Sequence, residues 1–232
     1  MDKTKGTLRK KLSEGLTTWL RFEELCGRGG LFSESYLALP IAQLLAANTQ
    51  GEVKGEVNHP VLNSPPRPGR PAQLDFVVYD ATKPILCVET KWADNSLVSV
   101  RDVVWDCVRL ELAANFYQCD AIFILAGKRG RIEKMLLSEA FNPKTKKEKP
   151  SLVMGLNGSG RASVTIKSSS GIVSKPLHAI LENYPNVNFA TKYVCEQGTQ
   201  IPKEGIDDAY TSIVWHIRPE SKGKRHTFLG DA

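Results

Sequence analysis

Apolar side chains recur at helical spacing through the first fifty residues. In the stretch 7–25 they follow one another every three or four positions, and the Gly-rich segment CGRGG that comes next is typical of a helix end. A second helix is predicted from Ser33, a residue type that commonly caps helices, toward Asn48. Pro40 falls inside this pattern, so that helix is either kinked there or begins there.

The pattern changes to alternation in the middle of the chain, where strands are predicted at 75–79 and 85–91. A turn centred on Thr82 would place Asp75 directly opposite Glu89. The side-chain period of two then puts Val77, Ile85, Cys87 and the two carboxylates on one face. A short strand and a proline-stiffened loop are predicted before this hairpin, within 51–72.

After the hairpin, the segment LVSVRDVVWDCVRLELAAN carries an apolar stripe at helical spacing. Asp102, Asp106 and Arg109 lie off this stripe and are interpreted as surface salt-bridge residues. DAIFILAG follows as a buried strand. Strand, helix and strand in this order predict a parallel pair with a right-handed crossover.

The last third of the sequence predicts a hairpin at 151–167, a helix at 176–184, strands at 189–197 and 211–219, and a frayed tail. The fold class is therefore α/β, with a mixed central β-sheet flanked by helices. We expect a core at 1–150 and a C-terminal α+β extension at 151–232, packed together as one structural unit.

Composition favours a globular protein, since 41% of the 232 residues are apolar and the formal net charge is +6. Five cysteines without C-x-x-C spacing argue for a reducing compartment and against a zinc site. No segment has the length and apolarity of a signal peptide or a membrane span. We expect a soluble, cytoplasmic protein that does not enter a membrane.

The predicted hairpin brings together residues that could carry chemistry. Two carboxylates about 5 Å apart repel unless a cation lies between them, and Asp75 and Glu89 supply the hard oxygen ligands that suit Mg²⁺, with Mn²⁺ able to substitute. Lys91, two residues beyond on the same face, could reach a metal-bound water, either to take its proton or to stabilise charge on a phosphate oxygen. Alternatively, the acids are ordinary strand-end charges and the lysine pairs with one of them.

Residues 30–130, with LDFVVYD and ILCVETKW at their centre, resemble the PD-(D/E)XK nuclease superfamily. The resemblance implies a restriction-endonuclease-like core in which Asp75 and Glu89 bind metal together with the Thr90 carbonyl, while Lys91 acts in catalysis. Glu34 matches the helix glutamate of that family, although it could equally be a favourable charge at a helix N-terminus. Gln73-Leu74 stands where the family's name-giving proline would precede the aspartate.

Basic residues near these segments are candidates for contact with a phosphate backbone. Eight Lys or Arg against three Glu occupy 128–149. The candidate nucleic-acid-binding residues are Arg67, Arg70, Lys128, Arg129 and Arg131. A solvated loop is the simpler interpretation for any single one of them.

The leading hypothesis is a Mg²⁺-dependent endonuclease that hydrolyses DNA, in restriction, repair or defence. One alternative is a catalytically silent module of the same fold that binds nucleic acid or protein, because fold does not determine function. Another is a nuclease subunit that needs a partner protein for targeting. A homodimer would suit the cutting of both strands, but no segment indicates an interface.

Overall fold

The computed structural model describes residues 3–62, 70–93, 100–136, 161–165, 180–181, 183–197, 209–219 and 225–227. Arg67, the first strand and the turn of the hairpin predicted at 151–167, and most of the helix predicted at 176–184 lie outside them.

Four α-helices are described in these parts of the chain. The helices are α1 (Lys3–Leu25), α2 (Glu34–Asn48), α3 (Val100–Tyr117) and α4 (Arg129–Leu136). The predicted cap of α2 is confirmed, because the Ser33 hydroxyl accepts a hydrogen bond from the Tyr36 amide at 3.2 Å. The helix begins at Glu34 and continues through Pro40, so that proline does not mark its start.

Nine strands lie in the same described residues. They are β1 (Glu52–Asn58), β2 (Gln73–Asp80), β3 (Lys83–Trp92), β4 (Asp120–Lys128), β5 (Arg161–Thr165), β6 (Asn188–Ala190), β7 (Lys192–Gln197), β8 (Tyr210–Pro219) and β9 (Arg225–Thr227). Seven form one sheet in the order β1-β2-β3-β4-β8-β7-β5, and β6 pairs with β9. The α/β class with a mixed sheet flanked by helices is thus confirmed.

The hairpin of β2 and β3 has the register that the sequence predicts. Phe76 pairs with Val88, which puts Asp75 at the level of Glu89. The loop contains only two residues outside the strands, Ala81 and Thr82, and a register shift follows between Val78 and Tyr79. This irregularity turns Ile85 toward the opposite face from Cys87, contrary to the simple alternation.

β3 and β4 are parallel, as predicted, and α3 is the crossover between them. One apolar layer lies between the sheet and α3, while α1 and α2 cover the other face. Both faces of β4 are buried, which explains its nearly continuous apolar sequence.

The C-terminal segments complete the sheet that the central hairpin begins. β8 pairs antiparallel with β4 on one side and with β7 on the other. The prediction of a frayed tail is wrong for Arg225–Thr227, which forms β9 and pairs with β6. On the other face, the Ser13 hydroxyl of α1 donates a hydrogen bond of 2.7 Å to the Ser212 carbonyl.

Candidate active site at the carboxyl end of β3

Asp75 is fixed by its neighbour across the hairpin. Its Oδ2 accepts a hydrogen bond from the Thr90 amide at 2.6 Å and another from the Thr90 hydroxyl at 2.8 Å. Two such bonds orient the carboxylate between adjacent strands. The aspartate therefore belongs to the same local arrangement as Glu89 and Lys91, which flank Thr90.

Glu89 is buried beneath α3, with only 2% of its surface exposed. Its Oε1 lies 2.7 Å from Nη2 of Arg109, but the contact lacks hydrogen-bond geometry. Burial raises the pKa of Glu89 well above its ordinary value, and the opposing effect of Arg109 is countered by Asp106 and Asp75. The site thus contains a carboxylate that water does not solvate.

Lys91 lies between two acids from different layers of the fold. Its Nζ is 3.2 Å from Oδ2 of Asp106 on α3 and 3.3 Å from Oε1 of Glu34 at the start of α2. Burial lowers the pKa of Lys91, but Asp106 and Glu34 raise it more, so the ammonium group stays charged. The helix glutamate suggested by sequence is therefore in direct contact with the E-X-K lysine.

These contacts form an alternating series of charges. The series runs Glu34, Lys91, Asp106, Arg109, Glu89, because Asp106 Oδ1 also lies 3.2 Å from Arg109 Nη1. With Asp75 included, four carboxylates face two cations, which leaves a formal charge of −2. Burial raises the pKa of Asp106 to about 6, although Lys91 and Arg109 lower it.

Asp106 and Arg109 are the site residues that sequence analysis missed. The interpretation as surface salt bridges is wrong for both, since Asp106 is 2% exposed and Arg109 reaches the buried Glu89. It fits Asp102, which lies 3.2 Å from Nη2 of the exposed Arg101. A signal for the buried pair was present in the spacing. Asp106 and Arg109 are three residues apart on α3, and Glu89 and Lys91 are two residues apart on β3. Asp106 pairs with Lys91 and Arg109 pairs with Glu89, so each acid faces a base across the two elements.

An aromatic cluster holds Glu34 and Lys91 in place from the other side of the sheet. Phe32 and Trp92 have ring centroids 5.6 Å apart, and Tyr210 on β8 contacts both rings. Phe32 precedes Glu34 by two residues, and Trp92 follows Lys91 directly. Packing of these rings therefore joins the start of α2 to the end of β3.

His59 is hydrogen-bonded to the segment of α3 that carries Arg109. Its Nδ1 accepts hydrogen bonds from the amides of Leu62 at 3.0 Å and Val61 at 3.2 Å. The proton must therefore be on Nε2, which donates to the Arg109 carbonyl at 2.9 Å. This buried imidazole fixes the turn of α3 that carries the arginine.

A divalent cation fits the chemistry of this donor set. The acidic side chains offer hard oxygen ligands, four of them face only two basic side chains, and Glu89 Oε1 and Asp106 Oδ2 are buried without a hydrogen-bond partner. As they stand in the described residues, no three His, Cys, Asp or Glu side chains are grouped to hold an ion. Lys91 and Arg109 lie between the carboxylates.

The predicted nucleic-acid-binding residues divide into two groups. Lys128 is the last residue of β4, and Arg129 and the exposed Arg131 follow it in α4. Because β4 is parallel to β3, all three lie at the same end of the sheet as Lys91. Arg70 lies on the edge strand side, where it pairs with Glu56 at 2.9 Å.

A cavity of about 430 Å³ lies at the opposite end of β3, under the start of α1. Buried Arg9 and the pair of Asp120 and His216, 3.0 Å apart, are among its lining residues. None of the predicted site residues lines it, so it is separate from the carboxylate cluster.

Comparison with known proteins found no match for this chain among family models, curated proteins or solved structures. In the described part of the chain, no helix combines the length and the apolarity needed to cross a membrane.

Proposed function

We propose that the protein is a metal-dependent endonuclease that hydrolyses DNA phosphodiester bonds on a restriction-endonuclease-like core. The observation that carries the proposal is the register of β2 and β3. It sets Asp75 level with Glu89, while Lys91 of the same strand contacts Glu34. The order of elements around it, a hairpin followed by a crossover helix and a parallel strand, agrees with the PD-(D/E)XK resemblance.

In this proposal Asp75, Glu89 and the Thr90 carbonyl would hold Mg²⁺. When bound, the cation would supply an activated water and would stabilise negative charge on the phosphate. Lys91 stays protonated beside Asp106 and Glu34, so its role is to orient the water and to stabilise phosphate charge, not to remove a proton. Glu34 and Asp106 keep its ammonium group at the mouth of the site.

The basic residues at this end of the sheet would bind the DNA backbone. Lys128, Arg129 and Arg131 continue from the strand next to Lys91, so a phosphate in the site would lie near them. Arg70 would add a contact at the edge strand, where its present partner Glu56 is exposed. Binding through these groups should weaken strongly with rising salt.

The test is cleavage of linear, circular and single-stranded DNA with Mg²⁺, Mn²⁺ or EDTA. Asp75→Asn and Lys91→Met should abolish a metal-dependent activity. Asp80→Asn and Lys83→Met, which change exposed charges at the other end of the same hairpin, should leave it intact. Activity that persists in EDTA or in both site variants would refute the proposal.

A catalytically silent binding module is the second candidate. The alternating charges favour it, because Lys91 and Arg109 already neutralise two of the four carboxylates. DNA binding in EDTA without cleavage of any substrate, and unchanged by Asp75→Asn, would support this candidate over the nuclease.

A further inference from the structure

Arg109 is the ion-pair partner of Glu89, which would bind the metal in the proposed function. Among the described residues, Arg109 is the only cation in ion-pair contact with this carboxylate, through Nη2 and Oε1 at 2.7 Å. Glu89 is nearly inaccessible to water, so its charge depends on that partner. A metal ion that binds Glu89 from the side of Asp75 would therefore be repelled by the positive charge of the Arg109 guanidinium.

The arginine has other acceptors within reach. Its Nη2 donates a hydrogen bond to the Gln73 carbonyl, and its Nη1 lies 3.2 Å from Asp106 Oδ1. Arg109 can thus give up Glu89 and remain paired inside the protein. If a metal ion replaced Arg109 at Glu89, the positive charge of the arginine would therefore not be left buried without a partner.

We propose that Arg109 is a positioning residue that holds Glu89 when no metal is bound and competes with the divalent cation for it. This inference rests on the proposed function, because it assumes that Glu89 is a metal ligand. The guanidinium thereby sets the metal affinity of the site and keeps the buried carboxylate neutralised before the cation arrives.

The proposal predicts that one substitution strengthens Mn²⁺ binding and lowers the stability of the metal-free protein. Arg109→Gln removes the competing charge, so it should lower the dissociation constant for Mn²⁺ at least tenfold. The same change leaves Glu89 buried without a counter-ion, so the metal-free melting temperature should fall. Mn²⁺ should then raise the melting temperature of the variant by more than it raises that of the wild type.

The experiment titrates Mn²⁺ alone into the full chain by calorimetry at pH 8.5 and follows thermal unfolding in parallel. Arg101→Gln is the matched control, since Arg101 lies on the same helix but pairs with Asp102 at the surface. It should behave as the wild type in both measurements. Adding Asp75→Asn to Arg109→Gln should abolish the gain in affinity, which locates the gain at this site.

The outcomes separate this inference from the proposed function. Wild-type binding of Mn²⁺ with equal or weaker binding by Arg109→Gln would overturn the competition and leave the nuclease proposal standing. No Mn²⁺ binding by the wild type or by Arg109→Gln would refute the metal site, and the inference with it. If Arg109→Gln does not fold, Arg109→Lys carries the test, because a single ammonium holds Glu89 less firmly and should give an intermediate affinity.

Discussion

Asp106 of α3 and Lys91 of β3 form an ion pair of 3.2 Å that joins the crossover helix to the end of the strand before it. The second oxygen of Asp106 contacts Arg109, so one buried carboxylate connects both cations of the site. Its position decides where the two positive charges stand relative to Glu89 and Glu34.

Replacing this carboxylate should cost more than replacing a neighbour on the same helix. Asp106→Asn removes the negative charge between Lys91 and Arg109 and should lower the free energy of unfolding by about 1–3 kcal/mol. Asp102→Asn, which affects a surface pair with Arg101, should change it by less than about 0.5 kcal/mol. Urea denaturation of both variants measures the difference, and equal effects would contradict the buried role of Asp106.

His59 should make the fold sensitive to acid. Burial lowers the pKa of His59 from 6.5 to about 4, so the unfolded chain binds a proton between these values that the folded protein does not. Stability should therefore fall by about 2 kcal/mol from pH 7 to pH 5 through this group. His59→Asn retains an acceptor for the amides of Val61 and Leu62 and should flatten this part of the pH dependence. A wild-type slope in the variant would show that the histidine does not cause it.

Glu111 should act in the opposite direction. This buried acid of α3 pairs with Arg225 of β9, and burial raises the pKa of Glu111 to about 7, although Arg225 lowers it. Because the folded state holds the proton more tightly, stability is highest below pH 4.5 for this group and falls as pH rises through 7.

Glu111→Gln should remove this loss, worth about 2 kcal/mol between pH 5 and pH 8. Urea melts at the two pH values provide the measurement, and Glu24→Gln, at an exposed position of α1, is the control. A difference between wild type and Glu111→Gln that does not change with pH would argue against a titrating Glu111.

Gly127 should be intolerant of a side chain. A Cβ at this position would lie 2.8 Å from the Ala93 carbonyl carbon, where β3 and β4 end side by side. Gly127→Ala should therefore destabilise the fold by about 1–3 kcal/mol and disturb the strand end that carries Lys91. Gly30→Ala, with nothing within 4 Å of the added carbon, should be nearly neutral in the same thermal unfolding assay. Similar losses in both would mean that the contact with Ala93 is not the cause.

Local patterns were sufficient to predict the elements that build the site. A turn centred on Thr82 predicts the pairing of Phe76 with Val88, because the position of the turn sets the register of a hairpin. The Ser33 cap and the parallel pair of β3 and β4 follow from equally local signals. The roles of Asp75, Glu89, Lys91 and Glu34 stay predictions, since proximity alone does not show metal binding.

Other features depend on contacts between distant segments. The side of α3 that bears Asp106 and Arg109 looks polar from sequence, and only the docked helix shows that it covers the acidic end of β3. The face of Ile85 is set by a register shift that alternation does not reveal. The position of β8 between β4 and β7 requires pairing across more than eighty residues, which no short pattern encodes.

The position of β8 also has a consequence for biosynthesis. On the ribosome, α1 is made almost two hundred residues before Ser212, the residue that anchors its Ser13. Until β8 has been made, β4 lacks its strand partner on that edge. Phe32 and Trp92 also lack their contacts with the Tyr210 ring. The ring contacts that join the start of α2 to the end of β3 are therefore completed only after the last strand of the central sheet has been made.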